Sequence, residues 1–354
     1  MRRLIKGLLA IIIAVAGLLV ALGFATMSGE HAYAELTGDQ ADTARAYLAK
    51  AQTPLPEAAS FGTFEREPGV VLETLTLNHP NRKATIVIVP GYTAPLEIYA
   101  ATYQAFHDAG YAVTGLSQRG QGRSWRPLPN PEKGYVGDYR DLSADLAAYV
   151  RTIDGPVLVY GNSMGGHIAM LMAGTEDVDV AAYALLVPMA KIHTGEFPYL
   201  VAKLMTGFQS AIGFGANYGI GRGDWRFDSR DPGQPTDCSA NPDYAHTRHM
   251  MVALDRDLRV QDVTNQFVWE TMRSTATVAT SEHLSGIEAP VLTIVAGDDR
   301  VVQTEAAEAN CKAMNDCRIV KFDAARHCIM HEGARQRADV LAAAITFFDS
   351  VGGK

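Results

Sequence analysis

The sequence predicts an α/β protein: one mostly parallel sheet flanked by helices, with a cap inserted between core strands. Three observations carry this. Short β-branched runs alternate with helical stretches along most of the chain, which is the rhythm of parallel βαβ units. Residues 190–285 break that rhythm with glycine, proline and aromatic residues and hold no clear buried strand. The 354 residues are 47% hydrophobic and 20% charged, enough for one large buried core and ordinary for a globular chain. This balance excludes wholesale disorder and a multi-span membrane protein. A net charge of −8 gives no support for a nucleic-acid-binding face.

Residues 1–28 form the first segment. Arg2, Arg3 and Lys6 precede an uncharged apolar run from Gly7 to Ala25. As a helix that run spans about 28 Å, close to the roughly 30 Å of a bilayer's hydrocarbon core. A membrane anchor is expected. The alternative is a cleaved signal with Ala32-Tyr33-Ala34 as its small-x-small site, but that site lies well past the apolar run. Either way the positive charges stay in the cytoplasm and the body lies on the extracytoplasmic, periplasmic-type side, anchored or secreted.

Residues 29–60 read as a linker with a short amphipathic helix at Ala41–Ala51. The core's first part spans 61–189. Val70–Leu77 alternates like an early strand, and strands are expected at Ala84–Val89, Ala112–Leu116, Pro156–Tyr160 and Ala182–Val187. Helices are expected at Leu96–Ala109, Tyr139–Ile153 and Met164–Gly174. After the cap, residues 286–354 supply strands Val291–Ala296 and Arg318–Phe322 and helices Thr304–Met314 and Gly333–Phe348.

The chemistry sits in Gly161-Asn-Ser-Met-Gly-Gly166. A strand precedes it and a helix follows, the setting of a nucleophile elbow in which a sharp turn exposes Ser163 and the helix N-terminus faces developing negative charge. A phosphate-binding loop would want a lysine after the glycines, where this chain has His167. Ser163 needs a base, and in a Ser–acid–His order the acid follows a late strand. Gly297-Asp-Asp-Arg-Val-Val302 offers Asp299, with adjacent Asp298 as the alternative. Only His327 and His331 lie beyond it; His327 directly follows its strand and loop and is preferred, leaving His331 as a surface or cap-contacting residue. The four cysteines contain no Cys-x-x-Cys pair, and neither metal nor organic cofactor is called for.

Together these residues resemble an α/β-hydrolase of the lysophospholipase and monoglyceride lipase group (the serine aminopeptidase-like hydrolases), from about Leu72 to the C-terminus. Ser117-Gln-Arg-Gly-Gln-Gly-Arg-Ser124 is similar to that group's Asp-x-Arg-Gly-x-Gly-x-Ser turn. Gly134, Tyr139 and Asp145 fill the places of its Gly…Phe…Asp segment, and Gly161–Gly166 its Gly-His-Ser-Met-Gly-Gly elbow. Gly297–Val302 and Arg326-His327 with Glu332 resemble its acid and base motifs. The departures are Pro90 for the His of His-Gly, Asn162 for the His before the nucleophile, and Ser117 for an acid. The resemblance implies a Ser163–His327–Asp299 triad, an oxyanion hole from the backbone N–H groups of Tyr92 and Met164, and a lysophospholipid or monoacylglycerol ester as substrate, consistent with membrane tethering.

Substrate choice is expected in the cap. Phe197–Phe208, Ile212, Phe214, Tyr218 and Trp225 either pack the cap onto the body or line an acyl groove. An aminopeptidase or amide hydrolase on the same fold is the runner-up; it needs a cap acid to hold a free amine, and Glu196, Asp224 and Asp243 are available. A non-catalytic binding protein is disfavoured because a scaffold has no need of the complete triad. In an oxidising compartment, Cys311 near a helix end and Cys317 opening the next strand are close enough for a disulfide. Cys238 and Cys328 either pair, tying the cap to the base loop, or leave Cys328 a buried thiol. Oligomeric state is not legible.

Overall fold

The computed structural model describes Gly17 and residues 31–351. The apolar run read as an anchor therefore lies outside the described residues apart from Gly17. Among the described residues no helix is long and apolar enough to cross a membrane.

One eight-stranded sheet organises the chain. Its strands are β1 (Ser60–Glu67), β2 (Val70–Leu77), β3 (Thr85–Val89), β4 (Ala112–Leu116), β5 (Val157–Asn162), β6 (Ala182–Leu186), β7 (Val291–Ala296) and β8 (Cys317–Phe322), in the spatial order 1-2-4-3-5-6-7-8. From β4 to β8 every pairing is parallel, while β1–β2 and β2–β4 are antiparallel. The central strands are apolar on both faces because both faces are covered. Val87, Val89, Val157 and Val159 point into one layer with Leu142, Ile168 and Met172. Ile86, Ile88, Leu158 and Tyr160 point into the other with Phe106, Val340 and Phe348.

The helices are α1 (Gly38–Ala51), α2 (Ala100–Asp108), α3 (Tyr139–Val150), α4 (Met164–Thr175), α5 (Tyr199–Gln209), α6 (Thr247–Leu254), α7 (Asn265–Val278), α8 (Thr304–Ala313) and α9 (Ala334–Val351), with shorter helical turns between. α1 starts at a capping box between Thr37 and Gln40. The stretch expected as one helix from Leu96 begins as a 3₁₀ turn, Leu96–Tyr99, before α2.

Two regions differ from expectation. β1 falls where no strand is expected: SFGTFERE has no apolar face, and its residues are mostly exposed. It is held as an edge strand by pairing with β2. The apolar stripe of α5 is neither cap packing nor groove. Phe197, Leu200, Leu204 and Phe208 are 46%, 65%, 63% and 65% exposed. Trp225 alone of the aromatics named there is fully buried, in a separate cap cluster with Met250, Val252 and Leu258 against α1. α7 contributes Phe267 and Val278 to the main core, so its inner face packs like a body helix.

Candidate active site

The elbow follows from what its backbone cannot accommodate. Ser163 sits at φ 50°, ψ −111°, a left-handed conformation that side chains other than glycine rarely take. A Cβ on Gly165 would lie 2.0 Å from the Val89 carbonyl oxygen, and one on Gly161 would lie 2.8 Å from the Gly166 Cα. Only glycine lets the first turn of α4 press against β3, and that approach presents Ser163 at the strand ends.

Ser163, Asp299 and His327 arrive from three different connections and meet. The His327 Nε2 is 2.8 Å from Ser163 Oγ, and its Nδ1 is 2.8 Å from Asp299 Oδ2. With Nδ1–H donating to the carboxylate, Nε2 is the atom left to accept the serine proton. Asp299 is fixed by two amides: Val301 and Val302 N–H donate to Oδ1 at 2.8 and 2.9 Å. Its side chain is 1% exposed, whereas that of Asp298 is 46% exposed and pairs with Arg300 and Arg326. Of the two adjacent carboxylates, Asp299 is the one that reaches the imidazole. His331 lines the same cavity without contact to Ser163; its carbonyl accepts from Ser239 Oγ of the cap at 2.9 Å, and burial holds its pKa down to about 4, so it is a neutral, cap-contacting residue rather than a solvated surface group.

Tyr92 lines the same cavity as Ser163, and Met164, opening α4 directly after Ser163, has no acceptor for its N–H within the helix. The loop carrying Tyr92 is tied down by partners that only the fold brings together. Gly91 N–H donates to Tyr99 Oη, and the Tyr99 hydroxyl donates to Asn162 Oδ1. Thr93 N–H donates to Gln121 Oε1 at 2.7 Å, and Gln118 Nε2 reaches the Pro90 carbonyl. Asn162 thus occupies its place as an acceptor for Tyr99. Ser117 also has a substitute for its missing charge: Glu73 on β2 accepts from the Arg123 backbone and guanidinium at 3.0 and 2.6 Å. Arg119 forks onto Asp145 at 2.6 and 2.7 Å. A Cβ on Gly134 would strike the Tyr92 hydroxyl, which donates instead to the Gln261 carbonyl.

A family model described as "Serine aminopeptidase, S33" matches residues 80–334. The chain belongs to that family. This S33 protein is similar to lysophospholipase L2 of Escherichia coli (strain K12), 27% identical over 286 residues that cover 75% of this chain and 80% of that one. It is similar to the monoacylglycerol lipase of Mycolicibacterium smegmatis (strain ATCC 700084 / mc(2)155), 32% identical over 122 residues that cover 34% of this chain and 43% of that one. Its fold matches a soluble variant of monoglyceride lipase from Saccharomyces cerevisiae at a TM-score of 0.65 and 16% identity, covering 85% of this chain and 97% of that one. The sheet and its flanking helices are those of an α/β-hydrolase, and the protein is a serine hydrolase of that class.

The S33 site opens into a cavity of about 350 Å³ whose walls include Ser163, His327, Ile98 and Met330 from the body and Arg230 and Arg248 from the cap. Sequence reasoning did not find the two arginines, which follow no motif or period. Arg248 donates to Thr93 Oγ1, a neutral acceptor, at 2.6 Å. Among the described residues neither arginine has a carboxylate within ion-pair distance. Burial pulls Arg248 down to about 10, still charged at neutral pH, and the Arg230 charge lowers it further while Tyr92 and Asp262 offset part of this; burial lowers Arg230 as well, offset in part by Asp262 and Asp237. Of the acids that could hold a substrate amine, Glu196, Asp224 and Asp243 all lie outside the cavity wall, and Asp237 is the carboxylate within it.

Both cysteine pairs are disulfides. Cys311–Cys317 joins α8 to β8 with Cα atoms 5.4 Å apart. Cys238–Cys328 joins the cap to the residue after His327, with Cα atoms 4.8 Å apart. Around that bridge Arg326 donates to the Thr236 carbonyl and Glu332 accepts from the Ala240 amide, so the base loop is laced to cap segment 236–241 on both sides.

Proposed function

We propose that the chain hydrolyses the acyl ester of lysophospholipids. Ser163 Oγ attacks the ester carbonyl as its proton passes to His327 Nε2, with Asp299 stabilising the imidazolium. The oxyanion is held by the Tyr92 and Met164 amides. The tetrahedral adduct collapses, the glycerol oxygen leaves with the proton from His327, and an acyl-Ser163 ester remains. Water then attacks that ester, giving its proton to His327, and the fatty acid departs as Ser163 regains the proton.

The observation that carries this choice over a monoacylglycerol is the pair Arg230 and Arg248, cations without ion-pair partners among the described residues, in the cavity that holds Ser163. A phosphate diester supplies the charge they lack, and a glyceryl head group does not. The same pair disfavours the aminopeptidase reading, since a protonated amine would enter beside two guanidinium groups. The names of the similar proteins, a lysophospholipase and monoacylglycerol lipases, agree with a lipid ester.

A panel of one lysophospholipid, the monoacylglycerol of equal chain length and an aminoacyl amide tests the reading. Arg248→Met is expected to lower kcat/KM for the lysophospholipid by about 10- to 100-fold, the worth of a charge-assisted contact, and to leave the monoacylglycerol rate nearly unchanged. Equal losses on both would end the phosphate assignment. Localisation is part of the proposal: the Gly7–Ala25 run anchors the chain, with the body outside the cytoplasm. Two disulfides suit an oxidising compartment. Full-length protein should stay in the membrane pellet after a high-salt wash, and soluble protein beginning near Glu35 would mean a cleaved signal.

A further inference from the structure

A second polar cluster lies where the 29–60 linker meets the body and the cap, and none of its members lines the catalytic cavity. It forms where the first residues after the apolar run dock. Tyr33 lies beneath Arg256 and Arg259, the Ala34 carbonyl accepts from Arg259 at 2.8 Å, and Leu36 packs against the Trp225 cluster. This strap places the His31 imidazole between two carboxylates. Its Nε2 is 3.6 Å from Glu132 Oε2 and its Nδ1 is 3.7 Å from Asp224 Oδ2.

These distances are too long for N–H···O hydrogen bonds, which run about 2.7–3.2 Å. The side chain of His31 is 5% exposed and that of Glu132 0%, yet His31 Nε2 and Glu132 Oε1 have no hydrogen-bond partner among the described residues. A buried polar atom left unpaired is costly, so the site is short of something that binds both. One ligand atom from each of His31, Glu132 and Asp224 lies within 4.8 Å of the others. Two donors held about 2.0–2.2 Å from a tetrahedral ion stand roughly 3.3–3.6 Å apart, so small rotations close the gap.

Both carboxylates are held by other contacts. Asp224 Oδ1 accepts from Asn130 Nδ2 at 2.8 Å and from the Tyr218 hydroxyl, and Glu132 Oε2 accepts from the Trp225 amide at 3.1 Å. Such outer contacts are the usual support of metal ligands.

We propose that His31, Glu132 and Asp224 bind a divalent zinc ion that clasps the segment following the apolar run onto the cap. The imidazole selects a transition metal over calcium or magnesium, which take oxygen donors. Asp224 is 43% exposed and gives the ion its route in, with water completing the coordination. The role is structural: the clasp fixes how the cap is held relative to the anchor.

The test uses full-length protein in detergent, stripped with EDTA and titrated with zinc chloride by calorimetry, alongside His31→Gln and Asp224→Asn. These residues sit on separate segments, so a folding defect in one variant leaves the other informative. Wild type should bind zinc at a one-to-one ratio and melt higher when loaded, and each variant should bind about 100-fold more weakly or not at all. X-ray absorption of the loaded protein should show an imidazole nitrogen among oxygen donors. Absence of stoichiometric binding, affinity unchanged in both variants, or bound zinc without an imidazole would each overturn the proposal and leave a plain histidine–carboxylate contact.

Discussion

In the body, the groups that would meet an ester carbonyl are held by backbone. Ser163 is presented by a turn whose glycines tolerate no Cβ, Asp299 is fixed by two amides, and the Tyr92 loop hangs on Tyr99 and Gln121. In the cap, the groups facing the same cavity are long side chains. Arg230 and Arg248 depend on burial and on a neutral threonine hydroxyl, while the cap's most apolar helix, α5, leaves its stripe in solvent. The catalytic geometry is therefore built from strand ends and tight turns, whereas the cap faces the cavity with side chains carried by an insertion. The two regions are not independent, because the loop bearing His327 is also the seam. Cys328, Arg326 and Glu332 all reach cap segment 236–241, and Arg123 spans from Glu73 and Glu97 in the body to Asp255 in the cap.

The largest effect should come from the body. Ser163→Ala is expected to lower kcat on a short-chain p-nitrophenyl ester by about 10⁴-fold or more with an unchanged thermal melt. Asp299→Asn should cost about 10⁴-fold, and Asp298→Asn less than about threefold because its carboxylate faces Arg300 and Arg326. Comparable losses from both aspartates would break the assignment of a single acid.

The seam comes next. Replacing Cys238 and Cys328 by serine opens a crosslink between residues 90 apart in sequence, against 6 for Cys311 and Cys317. Chain entropy predicts losses of about 4–5 and about 2 kcal/mol respectively, read by urea denaturation. Only the first pair should also lower activity in protein that is still folded, since it alone adjoins His327. Equal effects on activity would show that cap and base loop are not coupled.

The smallest effect belongs to α5. Leu200→Gln and Leu204→Gln should each change stability by no more than about 0.5 kcal/mol, as surface substitutions do. A loss of several kcal/mol would mean that the stripe is buried and that cap and body are packed alike.

How much could be read in advance differs along the same divide. The strands β4 and β7 begin and end where their apolar runs do, since a strand covered on both faces must be a near-continuous apolar run, and β2 begins and ends where its alternation does. β1 was illegible because an exposed edge strand needs no apolar pattern once a neighbour supplies its hydrogen bonds. The Gly-x-Ser-x-Gly turn was legible because its glycines answer to local crowding. Arg230, Arg248, Tyr99 and Glu73 were not, because each matters only for what it faces across the fold.

The sequence by itself determined the order of strands and helices apart from β1, the Gly-x-Ser-x-Gly turn, the presence of an insertion between core strands and a short choice of acids and bases. Those features are encoded in local periodicity, in glycine's freedom from a side chain and in chain order. Tertiary structure alone decided that Asp299 and not Asp298 faces the imidazole, that Glu73 stands in for the acid missing at Ser117, and that two cap arginines share the cavity with Ser163. It also brought His31 between Glu132 and Asp224 and Cys238 to Cys328. Each of these depends on side-chain direction and on contacts between residues far apart in the chain, which a one-dimensional pattern does not carry.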